Sequence, residues 1–320
     1  MQRVPLGSQP ALMARMAERE AEMLEQEREA RRRMLTAEAR QSEVEYAYTR
    51  TAEGILRRNR DLLDRMARVS EAKYAVGKGM QPDVLRAHVA KTRLLEPLAA
   101  LAGRERSAVA TVGAIAPGYA PTASLEAPPG LPALSVLLGR LDAHPMLAMR
   151  RLATTHAELA LELAERERVP DIGLGLVAGR QMGFDMPYAG AMISLEVPVF
   201  FRDKQEARVE AARETLAATR ADQDAVKRRL VGQLGAAHAM AEAAQRQLAI
   251  YRGGLLAQAR QTFQASLAAY QVDRGDFLMV LDAQMALNDV EMAEAMAIAE
   301  RLKADAMLEA LTGPAPKETP

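Results

Sequence analysis

Two stretches of the chain hold polar and turn-forming side chains at a repeated spacing: YAVGKGMQPDVLRA at 74–87 and YQVDRGDFLMVLDA at 270–283. A register of 196 residues, with no gap, pairs Tyr74 with Tyr270, Val76 with Val272, Gly79 with Gly275, Val84 with Val280, Leu85 with Leu281 and Ala87 with Ala283. Each stretch offers phenol, carboxylate and glycine, but no nucleophile beside a base. Elsewhere His88, His144, His156 and His238 stand alone, with no pair at metal-ligand spacing, no glycine-rich phosphate loop after a strand and no nucleophile elbow. The absence of cysteine removes disulfides, thiolate nucleophiles, Cys-ligated zinc and lipid attachment through an N-terminal cysteine. The sequence therefore predicts no enzyme, no cofactor and no metal centre.

Long helices must position these turns. Ser8 is placed to cap a helix, Pro10 sits in its first turn, and neither Gly nor Pro recurs until Gly54, so one helix is expected to run to about Val76. Seventy residues at about 1.5 Å each span roughly 100 Å, more than a globular domain needs. Gly77-Lys78-Gly79 breaks it, and Pro82 and Asp83 begin a second helix reaching about Ile115, with a kink expected at Pro97. Asp83, at a helix start, is also a candidate cap. Residues 116–135 are dense in Pro and Gly and read as a linker. A helix over Val136–Val169, broken early at His144-Pro145, leads into the one region without helical periodicity.

There the period is two. Ile172, Leu174, Leu176 and Ala178 alternate with Gly173, Gly175, Val177 and Gly179; beyond a loop holding Gly183 and Pro187, Ala189, Ala191, Ile193, Leu195 and Val197 alternate with Tyr188, Gly190, Met192, Ser194 and Glu196. Two strands of about ten residues, apolar on one face and small or polar on the other, suit a barrel wall between lipid and water. A hairpin half-buried in a soluble domain would look the same on this count. Asp203 and Glu206 have the spacing of a capping box, and an uninterrupted helical stretch is expected from Lys204 to Val272. Leu256, Phe263 and Tyr270 recur every seven residues, as do Met285, Met292, Ala299 and Ala306 after the turn, which calls for left-handed coiled-coil packing.

Composition agrees with long, closely packed helices: aromatics are 4% with no Trp, and Ala, Glu, Lys, Leu and Arg make up about half of the chain. The 42 basic and 42 acidic residues cancel, which gives no field to draw in nucleic acid, and Arg31-Arg32-Arg33 reads as a solvated helix face. The first twenty residues lack the pattern of a secretory signal, and no segment approaches the 18 or so apolar residues of a spanning helix.

Domain organisation follows from the repeat: an incomplete first copy at 1–115, a linker at 116–135, a second copy at 136–313 and a disordered tail at 314–320. Val4-Pro5-Leu6 before the first long helix matches Val197-Pro198-Val199 before the second, at a register of 193. The helix and strand at 136–196 have no counterpart before residue 4, so a start placed too late, or a fragment, is expected.

Duplicated halves, long hairpins with a Y-x-x-G-x-x-x-x-D-V-L-x-A type turn and the PDIGLGL…ISLEVPVF strand pair together resemble the TolC-like outer membrane efflux family, from Val4 to Gly313. The resemblance implies a mainly α fold of antiparallel helical hairpins forming a coiled-coil α-barrel, with a short β-hairpin joining a trimeric outer-membrane β-barrel. It implies a homotrimer in the outer membrane, extending into the periplasm, that serves a periplasmic adaptor and an inner-membrane pump and exports small molecules or metal ions. Wording around the Pro-Asp strand is similar to channels of heavy-metal pumps of the resistance-nodulation-division type, while 18 Met residues at heptad spacing read as core filler. The turns with Tyr74, Gly77, Gly79 and Asp83, and with Tyr270, Gly275 and Asp282, match the family's periplasmic tip. There, carboxylates repeated by threefold symmetry would form cation-attracting rings and the tyrosines would hold neighbouring hairpins together. Asp273 stands where the motif has glycine, so Gly275 is expected to tighten the second turn. Ile172, Leu174, Leu176, Ala189, Ala191, Ile193 and Leu195 would face lipid. A coiled-coil scaffold or adaptor without channel activity is the alternative; two hairpins and one strand pair favour the channel.

Overall fold

The computed structural model describes residues 4–5, 9–122, 124–126, 130–167, 171–180, 187–196, 204–272 and 274–314. The order is β1 (Val4–Pro5), α1 (Gln9–Ala75), α2 (Gln81–Arg93), α3 (Leu95–Ile115), α4 (Leu134–Leu141), α5 (Pro145–Arg166), β2 (Asp171–Arg180), β3 (Pro187–Glu196), α6 (Glu206–Ile250), a π turn (Tyr251–Leu255), α7 (Leu256–Gln271) and α8 (Phe277–Thr312). Residues 1–32 with 140–232 form one compact unit, and 33–139 with 233–320 form a second. Each unit takes parts of both sequence copies.

In the first unit α5 and α6 run antiparallel. Thr154 Oγ1 donates to Gln223 Oε1 at 3.0 Å, Arg220 meets Glu158 at 2.9 Å and Arg208 meets Glu167 at 2.6 Å, so α6 numbers fall as α5 numbers rise. His144 and Pro145 do interrupt the helix: α4 ends at Leu141, and α5 begins at Pro145, whose missing N–H costs nothing there. The buried His144 caps α5, its Nδ1 accepting from the Met146 N–H at 3.1 Å.

The same unit carries a three-stranded antiparallel sheet in the order β1-β2-β3. Pro187, expected in the loop, instead opens β3 opposite Arg180, a strand end where its missing N–H breaks no interior ladder. The pairs Ile172↔Leu195, Leu174↔Ile193, Leu176↔Ala191 and Ala178↔Ala189 put the predicted apolar set on one face, and Gly173↔Ser194, Gly175↔Met192, Val177↔Gly190 and Gly179↔Tyr188 occupy the other. The Tyr188 ring lies over Gly179, so that a Cβ there would stand 2.8 Å from its hydroxyl. An aromatic thus covers a strand glycine. Val197, Pro198, Val199 and Asp203, and with Asp203 the expected capping box, lie outside the described residues.

In the second unit α1 pairs antiparallel with α2 and α3, through Glu71 and His88 (3.0 Å), Asp64 and Lys91 (2.5 Å) and Glu45 and Arg104 (2.6 Å). α7 returns along α8 through Arg260 and Glu291 (3.2 Å), and Arg252 of the π turn meets Glu294 (2.8 Å). The core joins Tyr48, Ala52, Leu56, Leu63 and Met66 of α1 to Ala87 and Leu101, and to Tyr270, Phe277, Val280, Ala295 and Ala299 of the second hairpin. Alanines at 52, 87 and 299, all fully buried, let the helix backbones approach closely.

Two expectations are corrected here. The break foreseen at Pro97 lies three residues earlier, at Leu94 between α2 and α3. A proline clashes with the carbonyl four residues back, which is that of Arg93, the last residue of α2. The stretch 204–272 is not uninterrupted: α6 ends at Ile250 and a π turn precedes α7. Leu234, Ala241 and Leu248 are buried at seven-residue intervals, and the series Leu256, Phe263, Tyr270 resumes eight residues after Leu248. One extra residue in a heptad pattern would rotate every later side chain off the seam, and the wider π turn at Gly253-Gly254 absorbs it.

Candidate functional site

Both turns are built the same way. After α1, the N–H groups of Lys78 and Gly79 both bond to the Lys73 carbonyl, at 2.9 and 3.0 Å. After α7, the Arg274 N–H bonds to the Ala269 carbonyl at 2.9 Å, the same place in the 196-residue register. Gly77 takes φ +73°, open to glycine at no steric cost. A Cβ on Gly79 would lie 3.0 Å from Lys73 Cβ and from the Tyr74 nitrogen; on Gly275 it would lie 3.1 Å from the Tyr270 nitrogen and 3.2 Å from Ala269 Cβ. Gly275 therefore makes the close approach expected of it, and Asp273 lies outside the described residues.

The side chains at equivalent positions differ in their surroundings. Tyr74 is 50% exposed, while Tyr270 is 8% exposed and packs edge-on against Phe277 with ring centroids 5.7 Å apart. Lys73 reaches across from the end of α1: its Nζ donates to the Tyr270 carbonyl at 2.9 Å and stands 4.0 Å from the ring centroid. The tie at Tyr270 is made through its backbone oxygen and ring face. Asp83 does not cap: Met80 holds the N-cap position of α2 without a side-chain bond, and Asp83 is the third helical residue, 7% exposed, 3.8 Å from Arg86. Its Oδ1 is buried with no hydrogen-bond partner. The residue that does cap is Asp276, whose Oδ1 accepts from the Leu278 N–H at 3.3 Å.

Asp282 is exposed. It lines a cleft of about 600 Å³ between α1, α2 and α8, with Asp289 two helical turns on and with Arg86 and Arg93 of α2, also two turns apart. Leu85, Val89, Leu278, Leu281 and Met285 supply apolar lining. Beneath them the buried Gln284 Nε2 donates to Asn59 Oδ1 at 2.9 Å. Lys73, Asp276, Arg86, Arg93, Asp289 and the Asn59–Gln284 pair are absent from the sequence-predicted set. Extending the register of 196 along α2 reveals the other three charges of the cleft, since Arg86 falls on Asp282 and Arg93 on Asp289 with the sign reversed. Among the described residues, no group of His, Cys, Asp or Glu is placed to hold a metal ion.

Further along the same helices, a charged cluster ties α1, α3 and α8. Glu45 accepts from Arg104 Nε at 2.6 Å and from Lys303 Nζ at 2.7 Å, and Arg104 lies 4.9 Å over the Tyr48 ring. Burial pulls the Glu45 carboxyl up, but the bonds from Arg104 and Lys303 outweigh it and hold it below its ordinary range.

In the first unit the predicted lipid-facing set is exposed wherever its side chains are described: Leu176 at 81%, Ile193 at 75%, and Ala189 and Ala191 also open. The side chains of Ile172, Leu174 and Leu195 lie outside the described residues, and their backbones pair as given above. Among the described residues no helix is long and apolar enough to cross a membrane. That criterion does not bear on a β-barrel.

A family description, outer membrane efflux protein, matches residues 140–314. The outer membrane efflux protein BepC of Brucella suis is 24% identical over 247 residues, covering 74% of this chain and 54% of BepC. The cobalt-zinc-cadmium resistance protein CzcC of Cupriavidus metallidurans is 24% identical over 237 residues, covering 71% of this chain and 55% of CzcC. The chain thus spans about half the length of the curated relatives it matches. Among solved structures, the outer membrane protein VceC of Vibrio cholerae superposes with a TM-score of 0.85 at 16% identity, over 97% of this chain and 77% of VceC. At that identity the likeness is one of fold.

Proposed function

Because the chain belongs to the outer membrane efflux protein family, we propose that it is a subunit of a homotrimeric outer membrane channel that passes small molecules or metal ions out of the periplasm. Members of the family form trimeric outer membrane channels of tripartite pumps. On this reading β2 and β3, with β1 at their edge, contribute to a barrel shared by three chains, with Ile172, Leu174, Leu176, Ala189, Ala191, Ile193 and Leu195 toward lipid. The helical turns form the periplasmic mouth, where a periplasmic adaptor and through it an inner-membrane pump would engage.

The observation that carries the reading is the coexistence of a ten-residue strand pair, one face of which exposes Leu176 and Ile193, with two repeated helical hairpins. Apolar side chains exposed on a strand face are costly in water and favourable in lipid. The work of such a protein is passage and gating: carboxylates repeated around a pore attract cations, and contacts between hairpins hold the mouth shut. Asp282, with its exposed side chain, suits the first role. Lys73 and Tyr270 suit the second. CzcC is named for cobalt, zinc and cadmium resistance, and a divalent metal is one cargo to test beside organic compounds.

The test is reconstitution of the protein, purified from the outer membrane of its own cells, into planar bilayers. Stepwise ion conductance, reduced in cation preference by Asp282→Asn, is expected. Recovery of the protein in the soluble fraction with no conductance would overturn the channel and leave a coiled-coil scaffold. A strain lacking the protein, challenged with metals and with organic compounds, identifies the cargo by the class to which it becomes sensitive.

A further inference from the structure

The cleft between α1, α2 and α8 holds polar groups that neither the turns nor the core uses. Its volume of about 600 Å³ lies in the roughly 300–1,000 Å³ range of small-molecule sites. Gln284, 5% exposed, lines it and donates through Nε2 to Asn59 Oδ1, which leaves its own Oε1 buried with no donor. One helical turn further on, Asn288 also lines the cleft, and its Oδ1 is likewise buried with no donor. Two carbonyl oxygens on one face of α8 therefore lack N–H groups that the chain does not supply. The bond to Asn59 uses the other end of the Gln284 amide and accounts for neither oxygen.

The walls of the cleft carry opposite charge. Arg86 and Arg93 stand on α2, and Asp282 and Asp289 on α8, each pair seven residues and so about 10 Å apart. Arg86 reaches back to Asp83 at 3.8 Å, and among the described residues no ion pair joins the two rows across the cleft. Gln284 and Asn288 fall between the two aspartates along α8. That wall favours a cation able to donate hydrogen bonds, and the α2 wall favours an anion. Apolar surface lies beneath, at the buried Leu63, Leu94 and Leu281.

We propose that the cleft binds a small zwitterion with an apolar body. A primary ammonium lies toward α8, where it donates to Gln284 Oε1 and Asn288 Oδ1 between Asp282 and Asp289. The body covers Leu63, Leu94 and Leu281, and a carboxylate faces Arg86 and Arg93. Both oxygens are closed to solvent, so each amide must turn slightly to meet the ligand; ending the burial of an unpaired acceptor offsets that cost. An ammonium has three N–H donors, enough for both oxygens and one carboxylate. A quaternary ammonium carries the charge with no donor. The cleft lies within one chain, so the site does not depend on the channel reading.

Four probes of one chain length test it, titrated calorimetrically into the full chain in dodecyl maltoside: 8-aminooctanoate, octylamine, octanoate and 8-(trimethylammonio)octanoate. The first should bind at least tenfold more tightly than each of the others, about the effect of one charge-assisted hydrogen bond. Arg93→Gln should weaken 8-aminooctanoate to the level of octylamine and leave octylamine unchanged. Asn288→Leu should weaken both primary amines about tenfold and leave octanoate unchanged. Arg93 is exposed and Asn288 half-buried, which keeps the fold out of the comparison, whereas Gln284→Leu would strand Asn59. Equal affinity for the four probes, binding indifferent to both substitutions, or no binding at all would overturn the site. Conductance of the same preparation reports on the channel separately, so either reading can fail while the other stands.

Discussion

Glu45 joins three helices at one carboxylate, and its titration has a definite sign. Its folded pKa lies below the unfolded value because the bonds from Arg104 and Lys303 overcome burial. The stability it contributes is therefore complete above the ordinary carboxylate range and is lost as pH falls through the folded pKa. Asp305 works the other way. Burial outweighs its pairing with Arg301 and raises its pKa, so its penalty is absent at low pH and grows as it ionises. Glu45→Gln should cost about 1–3 kcal/mol at pH 7, the range for charge-assisted hydrogen bonds, and the gap to wild type should close toward pH 3. Denaturant midpoints across that range measure it; a gap independent of pH would mean that the carboxylate charge is not what stabilises the cluster. Glycines at the turn separate strain from crowding. Nothing lies within 4 Å of a Cβ on Gly77, so Gly77→Ala should cost only the left-handed strain of about 1–2 kcal/mol, whereas Gly79→Ala must also push back the Tyr74 backbone and should cost more. Gly79, Gly275 and the two tyrosines were legible because they repeat across the 196-residue register. Lys73 and Glu45 were not, since a charged residue on a helix names no partner until the helices are packed.

At the scale of the element, the helices were legible from their period and their breaks, because proline and glycine act locally. The π turn was not, because the seven-residue series from Leu256 onward is regular by itself and carries no sign of it. Laid beside Leu234, Ala241 and Leu248, it shows an eight-residue step that a uniform helix cannot carry without turning its seam away from the neighbour. Deleting Gly254 should therefore restore a continuous heptad. Helix content and the thermal midpoint are expected to stay level or rise, whereas deleting Gln264 shortens the Phe263–Tyr270 step from seven residues to six where no glycine absorbs the change, and should lower the midpoint by several degrees, on the order of 1–2 kcal/mol of lost packing. Circular dichroism on both deletions settles the matter. Equal losses would mean that the wider turn holds structure of its own beyond register repair.

For the whole molecule, the sheet decides which solvent the fold is made for. Sequence alternation assigned each strand residue to a face but could not say what covers the apolar one, since a soluble core and a bilayer ask for the same pattern. The register adds that Leu176 stands opposite Ala191 and Leu174 opposite Ile193, so one substitution on each face makes a controlled comparison. Ile193→Arg puts a charge on the proposed lipid face and should cost about 2–4 kcal/mol near the bilayer midplane, less toward its edges. Met192→Arg puts the same charge one residue away on the opposite face, where water would receive it, and should cost little. The readout is the fraction of chain recovered from outer membranes as a folded trimer that dissociates on heating. Loss for Ile193→Arg with recovery for Met192→Arg fits lipid against the Leu176 and Ile193 face. The reverse order would put water there, and equal tolerance of both charges would mean that neither face meets a membrane.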